Sequence, residues 1–202
     1  MSTNFGKAII KHYDNLIEAG NDPVYDPFPL QQYMNKWDGQ VFIDCLQPLA
    51  GKNVLEIGVG TGRLAVKVSP QCENFVGIDI SSKTIEKAKQ NLCNFNNATL
   101  ICGDFLSYDF DSKFDIIYSS LTFFHIKEKQ KAIEKTSTLL NPNSRIVLSI
   151  SKDQSNVLDF GDQKLELFPD TPEEIYALLR KSGFKTIDTT GTEFAFIISA
   201  II

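Results

Sequence analysis

The sequence predicts a single α/β domain in which a mostly parallel sheet is covered by helices on both faces. Three observations carry that expectation. Strand-like apolar runs alternate with helical patterns from residue 53 to about residue 150. One of those runs, 114–119, is nearly all apolar, as a strand buried on both faces should be. The turn from the first strand into the next helix, in NVLEIGVGTGRLAVKV (53–68), holds three alternating glycines. A chain of 202 residues can build one well-buried core and has little left for a second.

In chain order, residues 1–50 read as helical and irregular, with a turn-rich patch at NDPVYDPFPL. Residues 53–57 read as a strand and 62–69 as a helix. Residues 74–78 form a strand, and 82–92 a helix with Ile85, Ala88 and Leu92 on one face. Residues 98–101 and 114–119 are strands. KEKQKAIEKTSTLL is a helix stopped by Asn141-Pro142-Asn143, and 145–150 is a fifth strand. NVLDFGDQKLELF reads as a hairpin turning at Gly161-Asp162. A helix then starts with Thr171 as N-cap, Pro172 first and Glu174 three residues past the cap, and ends at Ser182-Gly183. Strands near 185–189 and 193–200 follow. The gap between them is too short for a crossover helix, so they should be antiparallel.

Composition removes several function classes. The net charge of -5 argues against a grip on nucleic-acid phosphates. The four cysteines form no CxxC pair and only two histidines are present, so no metal site is expected. The scattered cysteines read as reduced thiols of a cytoplasmic protein, and MSTNFGKAIIKHYDNL lacks the apolar core of a signal peptide. The closing FAFIISAII is too short to span a bilayer and reads as a buried central strand, so no membrane partner is expected.

A glycine loop between a strand and a helix N-terminus is where a nucleotide-like ligand approaches the main chain. The dinucleotide fingerprint G-x-G-x-x-G is not met, because Arg63 stands where the third glycine belongs, and there is no G-x-x-x-x-G-K-[ST]. That disfavours a nicotinamide dehydrogenase and excludes a P-loop. Glu56 puts negative charge where a pyrophosphate would lie. The loop therefore suits a ligand with a cation of its own.

Glu56-Ile57-Gly58-Val59-Gly60-Thr61-Gly62 resembles the first motif of the class I S-adenosylmethionine-dependent methyltransferases. Asp79 in FVGIDIS, Gly103-Asp104-Phe105 after the third strand, and Phe114-Asp115-Ile116-Ile117-Tyr118-Ser119-Ser120 are similar to the family's next stations, in order and at matching spacing. The resemblance covers about residues 50–202. It implies a Rossmann-like three-layer αβα sandwich whose mostly parallel seven-stranded sheet has an antiparallel last strand. It also implies a helical lid segment over 1–50, a methyltransferase domain over 51–202, and S-adenosylmethionine as cofactor, with S-adenosylhomocysteine as product.

The roles implied at each station have a chemical sense. Asp79 can accept from the ribose hydroxyls beside Ile80. Asp104 can accept from the adenine amino group while the Phe105 N–H donates to a ring nitrogen. Gly58, Gly60 and Gly62 let the methionine part lie on the loop near a helix N-terminus. Glu56 and the Ser119 carbonyl face the cofactor's ammonium, and Asp115 is structural by the same resemblance. An acid after a strand can also be a simple N-cap, for Asp104 more readily than for Asp79, which has Ser81 and Ser82 as better caps beside it.

The acceptor is expected to be a small molecule. The segment after the fourth strand is Tyr118-Ser119-Ser120-Leu121, without the Pro-Pro-aromatic motif that grips a base nitrogen, and neither a Pro-Cys nucleophile nor a double-glutamate loop is present. Tyr25, Tyr33, Trp37, Thr122, Phe123, Phe124, Lys152, Phe160 and Phe168 are candidates for the acceptor pocket, with lid packing as the alternative for Trp37 and the tyrosines. His125 in LTFFHI either faces the pocket and handles a proton or merely caps a helix start. Two rivals stand beside a methyltransferase: an aminopropyl-transferase-like enzyme on the same fold, and a non-catalytic cofactor-binding protein. A monomer or homodimer is expected.

Overall fold

The computed structural model describes residues 4–159 and 164–202. Seven of its strands form one sheet: β1 (Asn53–Ile57), β2 (Asn74–Asp79), β3 (Ala98–Cys102), β4 (Phe114–Ser120), β5 (Leu140–Ser151), β8 (Thr186–Gly191) and β9 (Ala195–Ile201). Their spatial order is β3-β2-β1-β4-β5-β9-β8. The first five strands run parallel, and β9 runs antiparallel to both β5 and β8. β9 is thus an internal strand, and its apolar sequence follows from cover on both faces. The remaining strands, β6 (Val157–Asp159) and β7 (Lys164–Glu166), pair as a separate antiparallel hairpin. The predicted turn at Gly161-Asp162 lies outside the described residues, as does Phe160.

Strand alternation sorts the core into two layers. Leu55, Ile57, Ile117, Ile146 and Ile198 face α6 (Lys129–Leu139) and α7 (Pro172–Lys181), whose Ile133, Ile175 and Leu179 are fully buried. Val54, Ile116, Tyr118, Val147 and Ile197 face the other way, against α3 (Gly39–Cys45), α4 (Ala65–Val68) and α5 (Ser82–Asn91). Two further helices, α1 (Asn4–Glu18) and α2 (Phe28–Met34), complete the chain. Within residues 1–50, α3 belongs to the core, because Phe42, Ile43, Leu46 and Leu49 are buried under the sheet.

Helix ends follow the local chemistry. Thr171 and Glu174 close a reciprocal capping box on α7. Gly183, at φ 93°, ends it with Phe184 N–H on Leu179 O and Gly183 N–H on Arg180 O. Two elements differ from the sequence expectation. The helix expected over 62–69 shrinks to Ala65–Val68, because Gly62 sits at φ 96° and Pro70 has no N–H for a further turn. The fifth strand starts at Leu140 rather than 145. Phe114 pairs with Leu140 and Ile116 with Arg145, so Asn141–Ser144 bulge out, with Asn143 at φ 61°.

β1 lies between β2 and β4, so the chain order reverses there, and the crevice beyond the carboxyl ends of these strands is where such sheets hold ligands. At the opposite end of β1, Asp115 accepts from Asn53 N–H at 2.9 Å and from Asn141 Nδ2 at 3.1 Å. That contact fixes the strand ends far from the crevice.

Candidate active site

A cavity of about 960 Å³ opens at the switch point. Its floor is the glycine loop. Gly58 and Val59 donate their N–H groups to Ile78 O, and Gly60 N–H donates to Asp79 Oδ2 at 3.0 Å. Two of the glycines are required by packing: a Cβ on Gly58 would lie 2.1 Å from Thr122 Oγ1, and one on Gly62 would lie 2.7 Å from Leu92 Cδ1. At Gly60 a Cβ would meet nothing within 4 Å, but its φ of 56° still favours glycine. Gly58 and Gly60 are on the cavity wall, whereas Gly62 lies behind it.

The carboxylates around the floor differ in setting. Asp79 accepts from Gly60 N–H and from Ser81 N–H, both at 3.0 Å. Burial raises its pKa, and these backbone donors counter part of the rise. Ser81, not Asp79, caps α5 by accepting from Thr84 N–H. Asp104 is on the wall and also accepts from Leu106 N–H at 2.9 Å, so a turn-capping bond and cavity exposure coexist in one side chain. Phe105 is buried, with the Lys135 ammonium 5.5 Å from its ring centre. Glu56 is 3% exposed and accepts from the Tyr118 hydroxyl at 2.8 Å. Burial pushes its carboxyl up to about 8, and the Tyr118 bond and Arg63 oppose that only in part.

Arg63, the residue that breaks the dinucleotide pattern, has a job of its own. Its guanidinium pairs with both carboxylate oxygens of the fully buried Asp38. Asp38 also accepts from Gly39 N–H and, at 2.7 Å, from the Ser120 hydroxyl. Burial works against the Asp38 charge, but the Arg63, Gly39 and Ser120 bonds outweigh it and hold its pKa below the usual value. One ion pair thus ties the start of α3, the glycine loop and the end of β4 together.

Near the end of β4, Ser119 points inward and its hydroxyl donates to Ile57 O at 3.0 Å. Ser120, the last residue of β4, and Leu121 and Thr122 after it reach the wall. His125 is on the wall. Its Nε2 lies 2.8 Å from the Tyr13 hydroxyl, and its buried Nδ1 has no hydrogen-bond partner among the described residues. Burial lowers its pKa to about 3, so the ring is neutral.

The structure brings Glu56, Gly58, Gly60, Asp79, Ile80, Asp104, Phe105 and His125 to one cavity. It places most of the aromatic acceptor candidates elsewhere, and Phe123 is buried in the core. Tyr25 is 72% exposed. Tyr33 and Trp37 pack edge-on against each other and against Phe194, and Trp37 O accepts from Ser149. Phe124 lies against His125 but off the wall, and Lys152 donates to Thr192 O. Phe168 and Thr122 are on the wall. Tyr13, Met34 and Arg63 line the cavity without having been read from the sequence as site residues. A helical stripe Gly6-Ile9-Tyr13, one face of α1, was the legible signal for the first of these.

Fold and cavity define the class: an α/β protein with a ligand site at the carboxyl edge of a parallel sheet, floored by a glycine loop. Residues 49–185 match the family model described as a methyltransferase domain. An uncharacterised methyltransferase of Anoxybacillus flavithermus is 32% identical over 71% of this chain and 68% of its own length. One from Geobacillus sp. is 28% identical over 94% of this chain and 92% of its own. Among solved structures, magnesium protoporphyrin IX methyltransferase from Synechocystis, with bound S-adenosylmethionine, is similar at TM-score 0.76 and 17% identity, covering 99% of this chain and 98% of that one. The chain belongs to the class I S-adenosylmethionine-dependent methyltransferases. Among the described residues, no helix is long and apolar enough to cross a membrane.

Proposed function

We propose that this cavity binds S-adenosylmethionine along β1, β2 and β3 and presents its methyl group to a small-molecule acceptor held under α1 and the segment after β4. The observation that carries the reading is the donor set of one cavity. Glu56, Asp79 and Asp104 stand at the ends of three neighbouring strands around the open backbone of Gly60. Bound there, the cofactor supplies a methyl carbon on a sulfonium, an electrophile that needs alignment more than activation.

Each residue has a task in that reading. Asp79 keeps lone pairs for the ribose hydroxyls while Gly60 and Ser81 N–H hold its orientation. Asp104 accepts from the adenine amino group, and the Phe105 N–H serves a ring nitrogen beside Ile80. Glu56, with no cation of its own, faces the ammonium together with the Ser119 carbonyl. Gly58 and Gly62 shape the loop, the latter from behind the wall. His125 faces the acceptor. The cavity, about 960 Å³, is at the upper end of the range of about 300 to 1,000 Å³ for a site holding one drug-sized molecule.

Within residues 1–50, α1 and α2 act as the lid. Gly6, Ile9, Tyr13, Pro23 and Met34 contribute to the cavity wall, and α1 is tied to the α5 region by polar bonds, Ser81 to Asp14 at 2.6 Å and Lys83 to Glu18. Cofactor should slow protease cleavage within residues 19–38; an unchanged cleavage rate would refute the lid.

The deciding experiment is calorimetric titration with S-adenosylmethionine and S-adenosylhomocysteine, with Asp79→Ala alongside. Micromolar binding that the variant loses supports the assignment, and a screen of small metabolites for methyl acceptance follows. No binding by the folded protein would overturn it.

A further inference from the structure

The cavity wall divides by charge. The ionic groups placed beside the cofactor stand at the carboxyl ends of β1 and β2 and on the loops after β1 and β3. The other end is built by α1, the end of α2, the segment after β4 and the stretch after β7, and its inner surface is mostly apolar: the buried Ile9 and the half-buried Met34, Leu121, Ile126 and Phe168. Lys127, Glu128 and Glu166 also reach the wall there, but all three are exposed. The inward polar groups at that end are neutral: the Thr122 hydroxyl, the Tyr13 hydroxyl and the His125 imidazole. A charged acceptor drawn past these exposed groups would lose its hydration without a buried opposite charge to meet it, which is costly.

The Tyr13–His125 pair adds direction. Tyr13 comes from α1 and His125 from beyond β4, with 2.8 Å between hydroxyl and Nε2. The two rings also meet edge to face, with centroids 5.6 Å apart. When Nε2–H donates to the Tyr13 oxygen, Nδ1 carries a lone pair. That atom is buried and has no partner among the described residues. It can accept the hydrogen of a hydroxyl, amine or thiol, leaving the nucleophile's own lone pair free for the methyl carbon.

We propose that Tyr13 is a positioning residue that holds the His125 ring so that Nδ1 receives the hydrogen of the acceptor's nucleophile, and that this end of the cavity selects uncharged acceptors with an apolar body. The inference rests on the cofactor assignment above. In the transfer, the nucleophile's lone pair forms the bond to the methyl carbon. The carbon–sulfur bond breaks with its electrons staying on sulfur, and the surplus proton passes to Nδ1, leaving an imidazolium that loses it once the product departs.

The test uses full-length protein saturated with S-adenosylhomocysteine and 15N-labelled in histidine, at pH 7. Three probes share one apolar body: 2-naphthol, 2-naphthylmethylammonium and 2-naphthoate. The expected result is one imidazole tautomer for His125, a shift of its Nδ1 signal with 2-naphthol, and at least tenfold weaker binding of both charged probes. Tyr13→Phe should leave S-adenosylhomocysteine affinity within about twofold, mix the His125 tautomers and weaken 2-naphthol about two- to tenfold, the worth of one neutral hydrogen bond. Charged probes binding as well as 2-naphthol, no probe binding at all, or an unchanged His125 spectrum in Tyr13→Phe would overturn the inference while leaving the cofactor assignment standing. Failure of S-adenosylhomocysteine itself to bind would remove both.

Discussion

The Tyr118 hydroxyl donates to the Glu56 carboxylate at 2.8 Å, with both side chains buried at the sheet's switch point. That single neutral donor is a weak match for a buried anion. Arg63, the nearest cation, is already bound to Asp38 on both oxygens. Burial therefore leaves the Glu56 carboxyl at about 8, and in the ligand-free protein it is mostly protonated at pH 7.

A pH dependence follows. An unfolded glutamate titrates near 4.3. Between about 4.5 and 8 the folded chain keeps a proton that the unfolded chain has lost, so this group's contribution to stability falls as pH rises through that window. The loss is on the order of a few kcal/mol. Glu56→Gln removes the titration. Unfolding free energies of wild type and variant, compared from pH 5 to 8, should diverge with wild type declining. A constant difference would refute the protonated state. In buffers of different ionisation enthalpy, S-adenosylmethionine binding at pH 7 should release a proton from wild type and none from Glu56→Gln.

The glycine loop separates two kinds of constraint. Gly60→Ala meets open space and costs only its left-handed backbone, about 1–2 kcal/mol. Gly58→Ala carries a similar backbone cost, and its methyl also enters the Thr122 side chain, adding about 1–3 kcal/mol. Adding Thr122→Gly to Gly58→Ala should recover the second part and not the first. Denaturant unfolding of the three variants reads this directly, and equal losses in the two alanine variants would contradict it.

How much of this was legible depends on whether a residue speaks through local pattern or through long-range contact. The strands 53–57 and 114–119 were plain, because burial on both faces leaves an apolar run that no neighbour alters. The α7 cap was plain, because Thr171 and Glu174 meet each other three residues apart. Asp79 and Asp104 could be placed because a strand end is a position that sequence marks. Tyr13 and Arg63 could not be given partners, since His125 is 112 residues from the first and Asp38 is 25 from the second. Tyr33 and Trp37 looked like acceptor aromatics, but Phe194, near the chain end, pairs with them away from the cavity. The early start of β5 was hidden because Asn141-Pro142-Asn143 resembles a loop, and it is a bulge between paired residues.

Arg63 and Asp38 should be strongly coupled. Breaking a buried pair from one side leaves an uncompensated charge and costs about 3–5 kcal/mol. Asp38→Asn and Arg63→Met are each expected to lose stability on that scale, and the double variant less than their sum. Because Ser120 and the glycine loop both depend on this pair, affinity for S-adenosylhomocysteine should fall in each single variant. Additive losses in a double-mutant cycle would mean the two residues act separately.

Lys129 makes the matching connection at the acceptor end. Its ammonium donates to Phe123 O at 2.8 Å, Phe168 O at 2.7 Å and Asp170 at 2.5 Å, which staples the segment after β4 to the stretch after β7. Burial lowers the lysine's pKa, and Asp170 counters it. Lys129→Met removes three bonds and strands the Asp170 charge at 5% side-chain exposure, so a loss of about 3–5 kcal/mol is expected. Asp170→Asn in the same chain should return part of that loss by removing the stranded charge. None of the three bonds touches Gly60, Asp79 or Asp104. Affinity for S-adenosylhomocysteine should therefore stay within a fewfold, while binding of 2-naphthol, which needs Phe168 and His125 held in place, should drop well below wild type. If cofactor and probe affinity fell together, the two ends of the cavity would be one mechanical unit, and the division between a cofactor end and an acceptor end would have to be given up.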